Sequence, residues 1–291
     1  MSGSRLRKAL GGSVFALLML TSCAQDSGGG SAAEPTTITQ AAARTEQQNL
    51  SMTVPGTLAH SFQQLQSSWG GHLGLAVMPV GGTQMVAFGD WSSGPAWSTM
   101  KVPLTLAAMR RSSANLYTGT TAITQSDNAA ADTLWQALGG AQEAAKAVEA
   151  VLREGGDTKT AVPATRTRAE HSSFGQAEWS LAEQVRFAAQ LPCLPQASSV
   201  LSMMGQIISS HRWGLGTFTG AEFKGGWGPD ASGAYLVRQF GLIDTQGGQI
   251  AVALAAQPDS GTFNDGMNAL DKVSALLAQH LDELSGGKCA A

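Results

Sequence analysis

The stretch AITQSDNAAADTLWQALGG, residues 122–140, reads as a loop delivered onto a helix. Asn128 to Leu138 has helical character and Gly139-Gly140 ends it. Two readings of Ser126-Asp127-Asn128 stand side by side. An Asp or Asn ahead of a helical run is an ordinary cap for the free N–H groups there. Alternatively, the Ser126 hydroxyl relays a proton between a lysine and a leaving group, while the Asn128 amide holds both a lysine and a substrate amide.

Ser98-Thr99-Met100-Lys101 lies upstream. The spacing predicts a helix over Thr99–Arg111 with Ser98 as its N-cap, which places a serine and a lysine one turn apart on one face. A serine hydroxyl is a poor nucleophile until a base takes its proton, and a lysine serves when burial or a nearby positive charge makes its neutral form accessible. Free N–H groups at the helix start can face a developing oxyanion. The plain alternative is a capping serine and a solvated lysine. Downstream, Lys224-Gly225-Gly226 falls on the first strand after a long helical region, where a lysine adds positive charge beside Lys101.

Around these triplets the pattern is mixed. Residues 59–68 have helical spacing, and 73–80 with 84–88 read as a hairpin about Gly81-Gly82. Helices are predicted over 141–153, 180–191 and 198–210, strands over 223–227, 234–240 and 249–257, and a closing helix over 268–284. Strands early and late with helices between them make an α+β fold: an antiparallel sheet from both chain ends, flanked by helices, plus an all-helical region.

The chain has 291 residues, a net charge of −3 and only 18 Lys and Arg, which excludes a phosphate-tracking surface, so no nucleic-acid partner is expected. Arg5, Arg7 and Lys8 precede an apolar run, Ala9 to Leu20, too short to span a bilayer. The run ends in Leu20-Thr21-Ser22-Cys23, which resembles a bacterial lipobox. That resemblance implies a lipoprotein signal peptide over 1–22, a lipidated Cys23 as membrane anchor, and an extracytoplasmic protein. A soluble secreted protein with a chance cysteine is the other reading. Residues 23–55, small and polar, read as a flexible tether before a domain over 56–291. Cys193 and Cys289 remain, and an oxidising compartment predicts a disulfide between them, with two free thiols as the alternative.

The three triplets, in this order, resemble those of class A β-lactamases and penicillin-binding proteins. The likeness extends through residues 122–140 and covers residues 58 to 284. It implies a serine β-lactamase/DD-peptidase-like fold with the active site in a cleft between an α/β part and a helical part. Carried over by position, Ser98 is the acylated nucleophile, Lys101 its base, Ser126 the relay and Lys224 the cleft charge. Asn128, Gly225, Gly226 and Trp227 contact substrate, and the N–H groups of Ser98 and Trp227 form the oxyanion hole. No cofactor is implied. His60, His72, His171, His211 and His280 show no ligand-type pair spacing, so no metal is predicted. Trp97 and Trp227 flank the proposed cleft.

Three departures qualify the resemblance. Gly225 stands where the family carries a Thr or Ser hydroxyl that binds a substrate carboxylate; losing a charge-assisted bond of that kind costs about 1.5–3 kcal/mol. Arg238 and Arg212 are the candidate replacements. The loop before the third triplet lacks the Glu-x-x-Leu-Asn signature that positions a deacylating water; Arg166 falls near the expected glutamate, and Glu170 and Glu178 are the nearby carboxylates. Only 28 positions separate Ser98 from Ser126, which predicts a cleft more open on that side. The favoured function is an envelope serine hydrolase or acyl transferase acting on an amide or ester, a peptidoglycan peptide or β-lactam among them, and inefficient as a β-lactamase. The alternative is an inactive binding or scaffolding lipoprotein on the same fold.

Overall fold

A computed structural model describes residues 56–290. The leader, Cys23 and the expected tether lie outside the described residues. In chain order the elements are α1 (Gly56–Ser68), β1 (Gly71–Pro79), β2 (Val86–Gly89), β3 (Ser93–Pro95), a 3₁₀ turn (Trp97–Met100), α2 (Lys101–Arg111), α3 (Leu116–Thr124), α4 (Asn128–Ala137) and α5 (Ala141–Glu154). There follow β4 (Glu178–Ser180), α6 (Leu181–Gln190), α7 (Ser198–Met204), β5 (Glu222–Pro229), β6 (Tyr235–Thr245), β7 (Gly248–Pro258) and α8 (Phe263–Gln279).

Strands from both ends of the described chain form one antiparallel sheet in the order β2-β1-β7-β6-β5, as the α+β reading expected. The central strand β7 is buried without a break from Ile250 to Ala256. Continuous burial, in place of alternation, marks a strand covered on both faces. Helices α6 and α8 pack on it. The turn from β6 to β7 passes through Gly247 at φ +97°, a conformation only glycine adopts cheaply.

In the helical part, α2 is buried continuously from Lys101 to Ala108 and is packed by α3, α4, α5 and α7. A helix buried on all its faces belongs in a core. Helix α3 was not predicted, because LYTGTTAIT carries a glycine and β-branched residues that lower helix propensity. Packing overrides propensity here. A Cβ on Gly119 would lie 2.7 Å from Thr105 Cγ2, so the missing side chain lets α3 close onto α2. The predicted helix over 198–210 stops at Met204, and the closing helix starts five residues early, at Phe263, capped by the Thr262 hydroxyl. The Cys193–Cys289 disulfide is present and ties the chain end to the turn after α6.

Arg238, a candidate for substrate binding, is instead a fully buried strut on β6. Its Nη1 donates to the carbonyls of Gly94 (2.9 Å) and Pro95 (3.1 Å). Nη2 donates to Trp179 O and Gln184 Oε1, each at 2.9 Å, and the guanidinium lies 5.1 Å from the Trp91 ring. It thereby fastens the short β3–β4 pair to the main sheet. Arg212 is also accounted for: it donates to the carbonyls of Gly205 and Gly216 and lies over Phe223.

Replacing the guanidinium leaves several buried oxygens without donors, each costing about 1–3 kcal/mol. Arg238→Met is therefore expected to lower stability by about 3–5 kcal/mol, read as a reduced urea midpoint; an unchanged midpoint would contradict the strut role.

Candidate functional site

The turn that carries Ser98 differs from the expected helix start. Ser98 is no N-cap; it sits inside the 3₁₀ turn, and no side chain caps α2. In a 3₁₀ turn residues three apart eclipse one another, so Ser98 and Lys101 share one side more closely than α-helical geometry would place them. Trp97 ahead of it holds φ +50°, and Ser126 holds φ +57°. Non-glycine residues in that region store strain, which concentrates at sites where geometry matters more than stability.

Lys101 is 1 % exposed and Lys224 2 %. Lys101 Nζ donates to Asn128 Oδ1 at 2.7 Å, to Ser126 Oγ at 3.4 Å and to the Ser126 carbonyl. Lys224 Nζ donates to the same Ser126 Oγ at 2.9 Å and to Gly225 O at 2.7 Å. Two lysines thus share one hydroxyl. With both lone pairs of Ser126 Oγ engaged, its own O–H is left to point elsewhere. Among the described residues the Ser98 hydroxyl has no hydrogen-bond partner, so the lysine that would deprotonate it rests on the Ser126–Asn128 loop.

Burial, the largest cause, pushes the Lys101 pKa down to about 8, against the pull of Asp127 and Asp132. Burial first, and the Lys101 charge second, push Lys224 well below the ordinary lysine value. Desolvation is the main cause at both lysines, and their like charges disfavour having both protonated at once. Asp127 takes the capping role, accepting from Ala130 N at 2.7 Å, which frees Asn128 to turn its oxygen to Lys101.

In the third triplet Gly226 is set by close approach. A Cβ on Gly226 would lie 2.9 Å from Ala96 O, Ser98 N and Thr99 N, all backbone atoms. The β5 strand therefore abuts the turn that carries Ser98, bringing the Ser98 and Trp227 segments together. Gly225 is covered: a Cβ there would meet the rings of Trp213 and Trp227 at 3.5 Å. Where a hydroxyl was expected, the structure has an aromatic wall.

A cavity of about 160 Å³ at Ser98 is lined by Trp97, Asn128, Asp132, Arg166, Glu170, His171, Ser172 and Trp227. Arg166 occupies the wall where a glutamate was sought and pairs with Asp132 at 3.3 Å. Glu170 also lines the cavity but pairs with Arg168 at 3.0 Å; Glu178 sits on β4, accepting from Ser93 Oγ at 2.6 Å, and does not line it. The loop is held from below by Asp157, which accepts from Lys159 N and Thr160 N, and by Glu183, which accepts from Thr158 N. Burial pushes the Glu183 carboxyl up, with Asp157 adding to it.

Three site residues escaped the sequence reading. Asp132 stands one helical turn after Asn128 on the same face, a periodicity that would have found it. His171 meets Trp97 edge-on at 4.9 Å, and His211 meets Trp227 at 5.1 Å. Burial, then Lys224 and Lys101, hold the His211 pKa below its usual value. No local signal marks either histidine, since each is brought in by a loop. Among the described residues no three His, Cys, Asp or Glu side chains converge as a metal site.

The fold is that of serine β-lactamases. The TLA-3 extended-spectrum β-lactamase superposes with a TM-score of 0.66 at 14% identity over 79% of this chain and 100% of its own. The TLA-1 extended-spectrum enzyme gives 0.65 at 15% identity over 78% and 99%. An ancestral class A β-lactamase of Gram-negative bacteria gives 0.58 at 18% identity over 76% and 99%. No family model and no curated protein matches the sequence.

Side-chain NMR of the lysines is expected to show one amine, lost in Lys101→Met, titrating near pH 8 against the ordinary 10.5. A midpoint above pH 10 would remove the basis for Lys101 as a base at neutral pH.

Proposed function

We propose that the protein is a serine hydrolase or acyl transferase of the bacterial envelope, forming an acyl-enzyme at Ser98 from an ester or amide and releasing it slowly. The observation that carries this reading is the Ser126 hydroxyl bridged by two buried lysines, beside a serine whose hydroxyl has no partner among the described residues. In its neutral form Lys101 takes the Ser98 proton as the Oγ–carbonyl bond forms. The N–H groups of Ser98 and Trp227 face the oxyanion. As the C–N or C–O bond breaks, Ser126 passes its proton to the leaving group and is resupplied by Lys101. Peptidoglycan peptides and β-lactams are the first substrates to try.

Slow release follows from the cavity's carboxylates. Asp132 faces Arg166 and Glu170 faces Arg168, so neither is an unpaired base for water. A second reading, a non-catalytic binding protein, draws on the same arginine and on Lys101 resting away from Ser98. The envelope placement and the Cys23 anchor rest on the leader sequence; the Cys193–Cys289 disulfide, a bond of oxidising compartments, supports them.

The test is intact-mass labelling with a fluorescent penicillin and a fluorophosphonate serine probe. One adduct is expected, absent in Ser98→Ala, forming faster as pH rises through about 8 and persisting after excess reagent is removed. Absence of an adduct with both reagents would favour the binding protein. Arg166→Glu combined with Asp132→Asn is expected to speed loss of the adduct by about a hundredfold, the lower range for a positioned base.

A further inference from the structure

Gly225 and Trp227 lie two residues apart on one face of β5, and the Trp227 ring leans back over Gly225 toward Trp213. From there an aromatic run continues outward. Trp227 meets Phe263 at 5.3 Å, Phe263 meets Tyr235 at 6.0 Å, and His211 closes the other side of Trp227. Trp213 is buried beneath, 5.8 Å from Trp227, whereas Trp227, Phe263, Tyr235 and His211 are each half-buried. The run thus forms a ledge with its upper side open, and its inner end, Trp227, is a wall of the Ser98 cavity.

Of the cations around the same site, Lys101 and Lys224 are buried and do not line the cavity, and the arginines are paired. Lys101 spends its donors on Ser126 and Asn128, and Lys224 donates to Ser126 and Gly225. Arg166 is held by Asp132 and the Ala169 carbonyl, and Arg168 by Glu170 and the Pro229 carbonyl. An anionic group entering here would lose its water without gaining a free cation, which is costly. An apolar group would gain ring contacts and bury surface.

We propose that this site takes uncharged esters or amides, the apolar arm of the substrate lying along the ledge of His211, Trp227, Phe263 and Tyr235. The proposal rests on the acylation reading above and narrows it to a substrate class: a carboxylate next to the scissile bond is a handicap here, and an aryl or alkyl arm is the recognised feature. Apolar and aromatic side chains supply the specificity, and Ser98 acts on whatever carbonyl they present.

A matched pair isolates the charge: benzylpenicillin and its methyl ester, incubated separately with the full-length chain. The rate of the Ser98 adduct is followed by intact-mass spectrometry and normalised to each compound's rate with hydroxide. The methyl ester is expected to acylate about tenfold faster, a preference of the size that one uncompensated polar interaction produces. Equal rates, or a faster free acid, would overturn the substrate class while leaving acylation intact. No Ser98 adduct with either compound would overturn the acylation reading and this inference together. In Phe263→Ala, which opens the outer part of the ledge, the methyl ester is expected to acylate Ser98 about fivefold more slowly. An undiminished rate in that variant would show that the ledge does not hold the apolar arm.

Discussion

The site depends on one buried cation that performs no chemistry. Among the described residues Arg238 carries its charge into the interior without an ion pair, its Nη groups donating to three backbone carbonyls and one amide oxygen. Each acceptor belongs to a segment that must stay in place. Gly94 and Pro95 lead directly into the turn that carries Ser98. Gln184, held by Nη2, donates in turn to Thr99 Oγ1 at 3.1 Å, and Thr99 Oγ1 donates to Ala96 O. Arg238 also pairs across the ladder with Gly226, whose missing side chain admits the turn. A guanidinium suits this role because its planar donors have fixed directions, so the segments it joins are held at fixed angles as well as distances.

Within that frame, burial is the main electrostatic agent. Two lysines removed from water and placed around one hydroxyl favour losing a proton, and the pair concentrates that tendency at Ser126 and Ser98. The strained φ of Trp97 and Ser126 is consistent with a scaffold that imposes geometry on these residues. On the opposite wall the polarity is reversed from what water activation would need, with arginines pairing both cavity carboxylates. The two walls thus differ in character, one carrying buried lysines around a hydroxyl and the other carboxylates paired with arginines.

How legible the site was depends on how its parts are carried. Ser98, Lys101, Ser126, Asn128 and Lys224 were readable because each pair is local or ordered along the chain, and the structure brings the three groups together. The capping role expected of Ser98 failed because a 3₁₀ turn leaves little trace in composition. Helix α3 was hidden by its threonines and Gly119, whose packing against Thr105 exists only once α2 is beside it. The internal role of Arg238, a candidate for substrate binding, was hidden because an arginine in a strand says nothing about its neighbours until the strands pair.

Periodicity and triplet order in the sequence were sufficient for the α+β class, most of the helices, the sheet strands and the grouping of Ser98, Lys101, Ser126, Asn128 and Lys224. These follow from local rules: helical and strand periods, glycine at turns, side chains one turn apart. The tertiary structure alone decided that Arg238 is internal, that Arg166 faces the serine, that two histidines stand at the site and that tryptophans cover Gly225. Each of those facts concerns residues far apart in the chain, and their meeting is set by how sheet, helices and loop pack.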